Sequence, residues 1–257
     1  MYDIGIIGGM GPQACSYLFD FIVKNTIAGK DQDHPSIVVL NDTKIPDRSD
    51  YILGISKSNP TIQINKDIDF LKNAQVSVVG IACNTSHFFY DDLNKYSDMK
   101  ILNMPEITLR YCQKRNLSKL VILSTLGTIR SKIYEQNQYC KASIIYPNNE
   151  EANAIHKMIY DMKHSPTSNL DTFASQTDSI ITSIINAKFE KKDSVAIVLG
   201  CTELSILTPY LRRNTNFEII DSLELLAYSL IKESGYQYKT NNYYDFQIIG
   251  EINGPRK

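Results

Sequence analysis

What the sequence lacks narrows the field first. No apolar run approaches the roughly 20 residues that a bilayer-spanning helix needs. Neither sign of charge dominates: 27 Lys and Arg stand against 28 Asp and Glu, a formal net charge of -1. Nothing therefore draws the chain to nucleic acid or to an anionic membrane surface. Five cysteines are present, yet there is no Cys-x-x-Cys pair and no Cys/His cluster with metal-site spacing. No secretory leader precedes the first strand-like segment, so the cysteines are expected as thiols in a reducing, cytoplasmic compartment. No lysine stands in a pattern that marks a pyridoxal phosphate Schiff base.

What the chain has is alternation. At 257 residues it can bury a large core, as one domain or two smaller ones. Short apolar runs at 3–7, 37–40, 76–81, 119–123, 143–146, 194–199 and 217–220 read as strands, with a shorter one at Ile101-Leu102. Helical segments are expected between them, at 12–28, 61–73, 88–95, 105–115, 128–139, 149–162, 171–187 and 222–233. Pro12 and Pro105 suit helix starts, Ser222 is the expected cap of the last helix, and Gly235 its end. Residues 43–59 read as a long polar loop and 165–169, around Pro166, as a break.

Near-continuous apolar strands between helices predict parallel sheets covered on both faces. Each half begins strand, small-residue turn, helix, and later delivers a strand ending in Cys. The expectation is an α/β protein of two pseudo-symmetric domains, each a largely parallel sheet flanked by helices. Residues 1–105 plus about 210–235 are assigned to the first lobe and 106–209 to the second. The tail, 236–257, reads as an edge strand or a loose end.

Chemistry concentrates where those strands end. Val76–Ile81 runs into Cys83-Asn84-Thr85-Ser86-His87, and Val195–Leu199 into Gly200-Cys201-Thr202-Glu203-Leu204. In open α/β sheets the ligand crevice lies outside the carboxyl ends of the strands. Two thiols placed alike suit removal of a proton from one face of a carbon and its return on the other. Cys15, Cys112 and Cys140 fall inside helical segments and read as structural. Gly8-Gly9-Met10-Gly11-Pro12 superficially resembles a dinucleotide turn, but Pro12 removes a backbone donor. A tight turn or a cradle for a small carboxylate are the other readings. Arg48, in Ile45-Pro46-Asp47-Arg48, offers a guanidinium fork for a distal carboxylate.

These four motifs resemble the aspartate/glutamate racemase superfamily, in its aspartate racemase branch. They occur in family order and span the chain up to about Glu233. The resemblance implies an isomerase of two α/β domains with no cofactor and no metal. Cys83 and Cys201 would be opposed acid and base, and the protein would commonly be a homodimer. It puts Met10, Gln13, Asn84, Thr85, Ser86 and Thr202 around the substrate. It also places Lys163, ending the Ile155–Lys163 helix pattern, beside Arg48 as a second cation. His87, Thr125 and Glu203 would tune the site. The expected partner is a small acidic amino acid, aspartate ahead of glutamate. Glutamate or broad-specificity racemisation, and a non-catalytic amino-acid-binding module, stand as alternatives.

Overall fold

The computed structural model describes residues 1–164, 169–190 and 195–252. The break expected at 165–169 lies, apart from Asn169, outside the described residues, as does Ser194. Strands β1 (Tyr2–Gly8), β2 (Ile37–Asn41), β3 (Val76–Ile81) and β4 (Lys100–Ile101) form one sheet, ordered β2-β1-β3-β4. Strands β5 (Lys119–Leu123), β6 (Ser143–Ile145), β7 (Val195–Leu199) and β8 (Glu218–Asp221) form a second, ordered β6-β5-β7-β8. All six pairings are parallel. The same strand order thus appears twice, which is the pseudo-symmetry read from the sequence.

Helices α1 (Pro12–Asn25), α2 (Arg48–Ile52), α3 (Thr61–Asn73), α4 (Tyr90–Tyr96) and α5 (Met104–Lys114) accompany the first sheet in sequence. Helices α6 (Leu126–Ser131), α7 (Asn149–His164), α8 (Leu170–Lys188) and α9 (Thr208–Asn214) follow in the second half. Then come α10 (Ser222–Glu233) and α11 (Phe246–Ile252). One apolar cluster joins the halves: Ile4 and Ile6, Leu120 and Ile122, and side chains of α1, α5 and α10 are packed together. Every residue from Ser222 to Ile231 is buried, as expected of a helix enclosed on all sides. Each of its leucines stabilises the fold by at most ~1.5–3 kcal/mol.

Several boundaries differ from the sequence expectation. Helix α1 stops at Asn25, and Thr26 pairs antiparallel with Tyr238 of the tail. The 43–59 loop contains α2, capped by Asp47, whose carboxylate accepts from the Asp50 N–H at 3.0 Å. The 128–139 helix ends at Ser131 because Lys132 turns left-handed, at φ 54°. Beyond that turn Tyr134 is fully buried, and its hydroxyl donates to Asn84 Oδ1 at 2.7 Å. The cap of α10 is Asp221, not Ser222: Asp221 Oδ1 accepts from the N–H groups of Leu223 and Glu224.

Over its described residues, 236–252, the tail packs on the body of the protein and pairs as a strand only at the single bridge of Tyr238. Tyr238, Tyr244 and Phe246 pack around Tyr228, and α11 lies against α5. The chain enters α10 from β8, which is paired in the second sheet although it lies within the 210–235 segment assigned to the first lobe. Helix α10 itself packs on α1, α5 and β3.

Candidate active site

The order β2-β1-β3-β4 sends the chain from β1 to one side and then across to the other. The reversal opens a crevice at the carboxyl ends of β1 and β3. Met10 and Gly11 lie just past β1, and Cys83 past β3. In the second sheet Ser124 and Thr125 follow β5, and Cys201 follows β7. The two crevices meet. Thr202 Oγ1 donates to the carbonyl of Ala82 at 3.3 Å, from one half to the other. A Cβ at Gly11 would collide with Glu203 Oε1, so a side chain there would have to displace that carboxylate. The turn also needs Gly9, at φ +86°, a backbone conformation that side chains resist. A carboxylate pressed against Gly11 is a poor neighbour for phosphate, which disfavours the dinucleotide reading.

The Cys83 side is cationic. Arg48 is buried, at 5% exposure. Nη1 donates to the carbonyls of Ile45 and Pro46 at 3.3 and 2.9 Å, and Nη2 to that of Met10 at 2.6 Å. The guanidinium therefore staples the 45–48 segment to the glycine turn while keeping donors free, and its buried Nε–H has no partner. Burial by itself would lower the Arg48 pKa. The facing Cys83 thiol, with Asp47 and Glu203, outweighs burial and raises it.

The Cys201 side is anionic. Its thiol donates to Glu203 Oε2 at 3.0 Å. Burial first, and then the Glu203 charge, push the Cys201 pKa well above the ordinary thiol value, with Lys163 acting against them. Thr202 Oγ1 lies 3.4 Å from the same carboxylate oxygen, which competes with the Ala82 carbonyl for its one proton. Lys163 Nζ lies 4.0 Å from Glu203 Oε1 and 4.7 Å from the ring centre of Tyr160. Burial lowers the Lys163 pKa, but Glu203 and then Cys201 raise it further, so the ammonium stays charged. Glu203 Oε1 is buried and accepts no hydrogen bond.

Hydroxyls close the seam. Thr85 Oγ1 lies 3.2 Å from Thr125 Oγ1 and 2.9 Å from Thr128 Oγ1, and Ser49 donates to Thr125 at 3.2 Å. Thr125 also caps α6. Asn84 is a strut: its amide nitrogen donates to Ser222 at 2.8 Å, and its oxygen takes the Tyr134 proton. Ser222 in turn donates to Leu199 O at 2.7 Å, tying both strand ends to α10. Ser86 donates to the Met10 sulfur at 3.1 Å. Gln13 is half-buried on the first turn of α1.

His87 does not reach the thiol through its ring nitrogens. Nδ1 lies 2.9 Å from the Cys83 carbonyl and Nε2 3.4 Å from that of Leu102. Burial lowers its pKa. It braces the backbone at Cys83, and the neutral ring suits that place. The stretches after both cysteines open as 3₁₀ turns, Thr85–Phe89 and Leu204–Leu207, rather than as regular helices.

Sequence reasoning missed several neighbours. Tyr160 donates to Asp47 Oδ2 at 2.8 Å, linking α7 to the segment that carries Arg48. His156 lies tilted against Tyr160, with ring centres 4.6 Å apart and planes at 53°. A signal existed: His156, Tyr160 and Lys163 repeat at helical spacing on one face of α7. Asp47 was also legible as a cap, an acidic residue just before a short helix. Ser49, Thr128, Tyr134 and Ser222 carried no local signal.

The sequence profile of the Asp/Glu/hydantoin racemase family matches residues 7–230. Over 232 residues the chain is 23% identical to the broad-specificity amino-acid racemase RacX of Bacillus subtilis, covering 89% of this chain and 96% of that one. Its structure superposes on that of Picrophilus torridus aspartate racemase with a TM-score of 0.77 and 30% identity, over 92% and 95% of the two chains. The glutamate racemase RacE1 of Bacillus anthracis shares the fold, at a TM-score of 0.60 and 17% identity over 90% and 82%. No described helix is long and apolar enough to cross a membrane.

Proposed function

This chain belongs to the Asp/Glu/hydantoin racemase family and is an amino-acid racemase, and from that premise we propose that it interconverts L- and D-aspartate without a cofactor. The observation that carries the reading is the pair of strand-end thiols meeting at one seam, one against a guanidinium and one against a carboxylate. The 30% identity to an aspartate racemase over most of both chains supports aspartate as the substrate.

The chemistry follows from the charges. In one direction of the reaction Cys83, which faces Arg48, acts as the base. Cys201 holds its proton because a thiolate there would be buried against Glu203. The Cys83 sulfur takes the α-proton, and the C–H electron pair passes into the α-carboxylate. The Cys201 S–H then donates to the opposite face of the carbon and is left as thiolate. The reverse reaction runs the same steps from the other enantiomer. Arg48 and Lys163 clamp the distal carboxylate of the substrate. Thr85, Thr125 and Thr202 supply hydroxyls at the seam, where the charge that develops on the α-carboxylate is offset. Met10, Gln13, Asn84 and Ser86 shape the surrounding wall.

Racemisation of L- and D-aspartate, glutamate, asparagine and alanine, followed by chiral chromatography, tests the reading. Aspartate is expected to turn over fastest and alanine, which leaves a cation unpaired, negligibly. Glutamate ahead of aspartate would keep the two-thiol chemistry and overturn the substrate. The likeness to the broad-specificity racemase RacX supports a broader substrate range, glutamate included, as the second reading. Solvent deuterium appearing at the α-carbon separates a racemase from a binding module.

A further inference from the structure

Two buried polar atoms without a hydrogen-bond partner belong to the seam, and they are of opposite kind. Arg48 Nε is a donor and Glu203 Oε1 an acceptor. Buried polar groups are nearly always paired, so an orphan in a crevice asks for a ligand that supplies the missing partner. Arg48 is also close enough to Glu203 for each charge to act on the other. Were the two meant only for one another, a direct bond would satisfy both. Instead Glu203 Oε1 is held against Gly11 at the first lobe, with Lys163 standing off at 4.0 Å. Its other oxygen already accepts the Cys201 proton at 3.0 Å, with the Thr202 hydroxyl 3.4 Å away.

A donor orphan and an acceptor orphan on one seam fit a zwitterion, with carboxylate to Arg48 and ammonium to Glu203. We propose that Glu203 Oε1 receives the α-ammonium of the substrate and so restricts the site to free amino acids. This rests on the racemase reading and deepens it. The matched family takes its name from two kinds of compound, acidic amino acids and hydantoins. In a hydantoin the α-nitrogen is an acylated ring N–H, uncharged and with a carbonyl on its far side. Placed against a buried carboxylate, it offers one weak donor and brings further acceptors. A hydroxy acid offers a neutral hydroxyl, and a plain dicarboxylate offers nothing. All three leave Glu203 charged, buried and poorly paired, which is the costly outcome.

Calorimetric titration of the full chain with L-aspartate, succinate, L-malate and hydantoin-5-acetate tests this. The unaltered protein is expected to bind aspartate at least about tenfold more tightly than any of the other three, the order of one charge-assisted hydrogen bond. In Glu203→Gln the advantage over succinate should shrink to about twofold or less, mostly through weaker aspartate binding. A shift confined to aspartate is not what a general loosening of the fold would give. Succinate or the hydantoin binding the unaltered protein as tightly as aspartate would overturn the proposal, and this comparison needs no variant. An undiminished preference for aspartate in Glu203→Gln would overturn it as well. If L-aspartate does not bind at all, the aspartate reading of the site falls, and this proposal with it.

Discussion

Cys83 and Cys201 occupy matching places in two sheets of identical strand order, and they meet opposite charge. Cys83 follows the third strand of the first sheet and faces Arg48. Cys201 follows the equivalent strand of the second and donates to Glu203. In the proposed mechanism, repetition of a fold unit supplies the geometry for two-faced proton transfer. It does not supply equal bases. The proposed two-base mechanism needs one thiol and one thiolate at any moment, and burial together with the Glu203 charge favours the proton on Cys201.

The largest expected effect breaks the pair outright. Cys83→Ser and Cys201→Ser should each lower racemisation by ~10²–10⁴-fold, the scale of a lost acid or base. Each variant should still exchange the α-hydrogen of one enantiomer in deuterated water, and the two should differ in which. NMR that found both variants washing out the same enantiomer would contradict opposed thiols.

Arg48→Leu comes next, at ~2–5 kcal/mol in kcat/KM for aspartate. Arg48→Lys sharpens the point. It keeps a charge near Cys83 but cannot hold three backbone carbonyls as the guanidinium does. Its kcat/KM should fall nearly as far, with a lowered Tm beside it. Full activity in Arg48→Lys would reduce the guanidinium to a point charge.

The Cys201 side is probed by alkylation against pH, read site by site by mass spectrometry. Removing the carboxylate in Glu203→Gln should let Cys201 react at lower pH. Removing the ammonium in Lys163→Met should push its reaction to higher pH, because Lys163 opposes the upward shift. Movement of both variants in one direction would show that packing, not charge, sets the thiol.

The smallest effect concerns a second buried carboxylate, Glu224, which is fully partnered where Glu203 is not. It pairs with Arg212 at 2.8 Å and accepts from Tyr244 at 2.9 Å and Tyr17 at 3.2 Å. Burial, then Asp221, raise its pKa to about 7 against the pull of Arg212. The folded chain therefore binds that proton more tightly than the unfolded chain. The linked stability is fully present below about pH 4.3, the ordinary glutamate value. It is lost as pH rises through about 7. In Glu224→Gln the fall in Tm between pH 5 and pH 8 should flatten, while the pH profile of Cys201 alkylation stays put. A moved Cys201 profile would tie the two carboxylates together.

Helix α3 and strands β3 and β5 run between the very residues expected from the sequence. Local apolar periodicity and turn residues suffice for such elements, and the same signals carried both cysteine motifs, the glycine turn and Arg48. The failures came where distant partners decide. Nothing local stops a helix at Lys132; the burial of Tyr134 against Asn84, 50 residues away, does. Nothing in the polar, aromatic tail says that Tyr244 and Phe246 will pack on Tyr228.

By itself, then, the sequence determined the strand-and-helix alternation, the two-fold plan and the position of each cysteine at a strand end, because all three depend on neighbours within a few residues. Only the tertiary structure decided what each thiol faces. Arg48 stands beside Cys83 because Nη2 reaches the Met10 carbonyl, 38 positions earlier in the chain. Glu203 lies between the lobes because Gly11 leaves room for it. Charge acts through space rather than along the chain, so the inequality of two matching cysteines emerges only when the lobes close on one another.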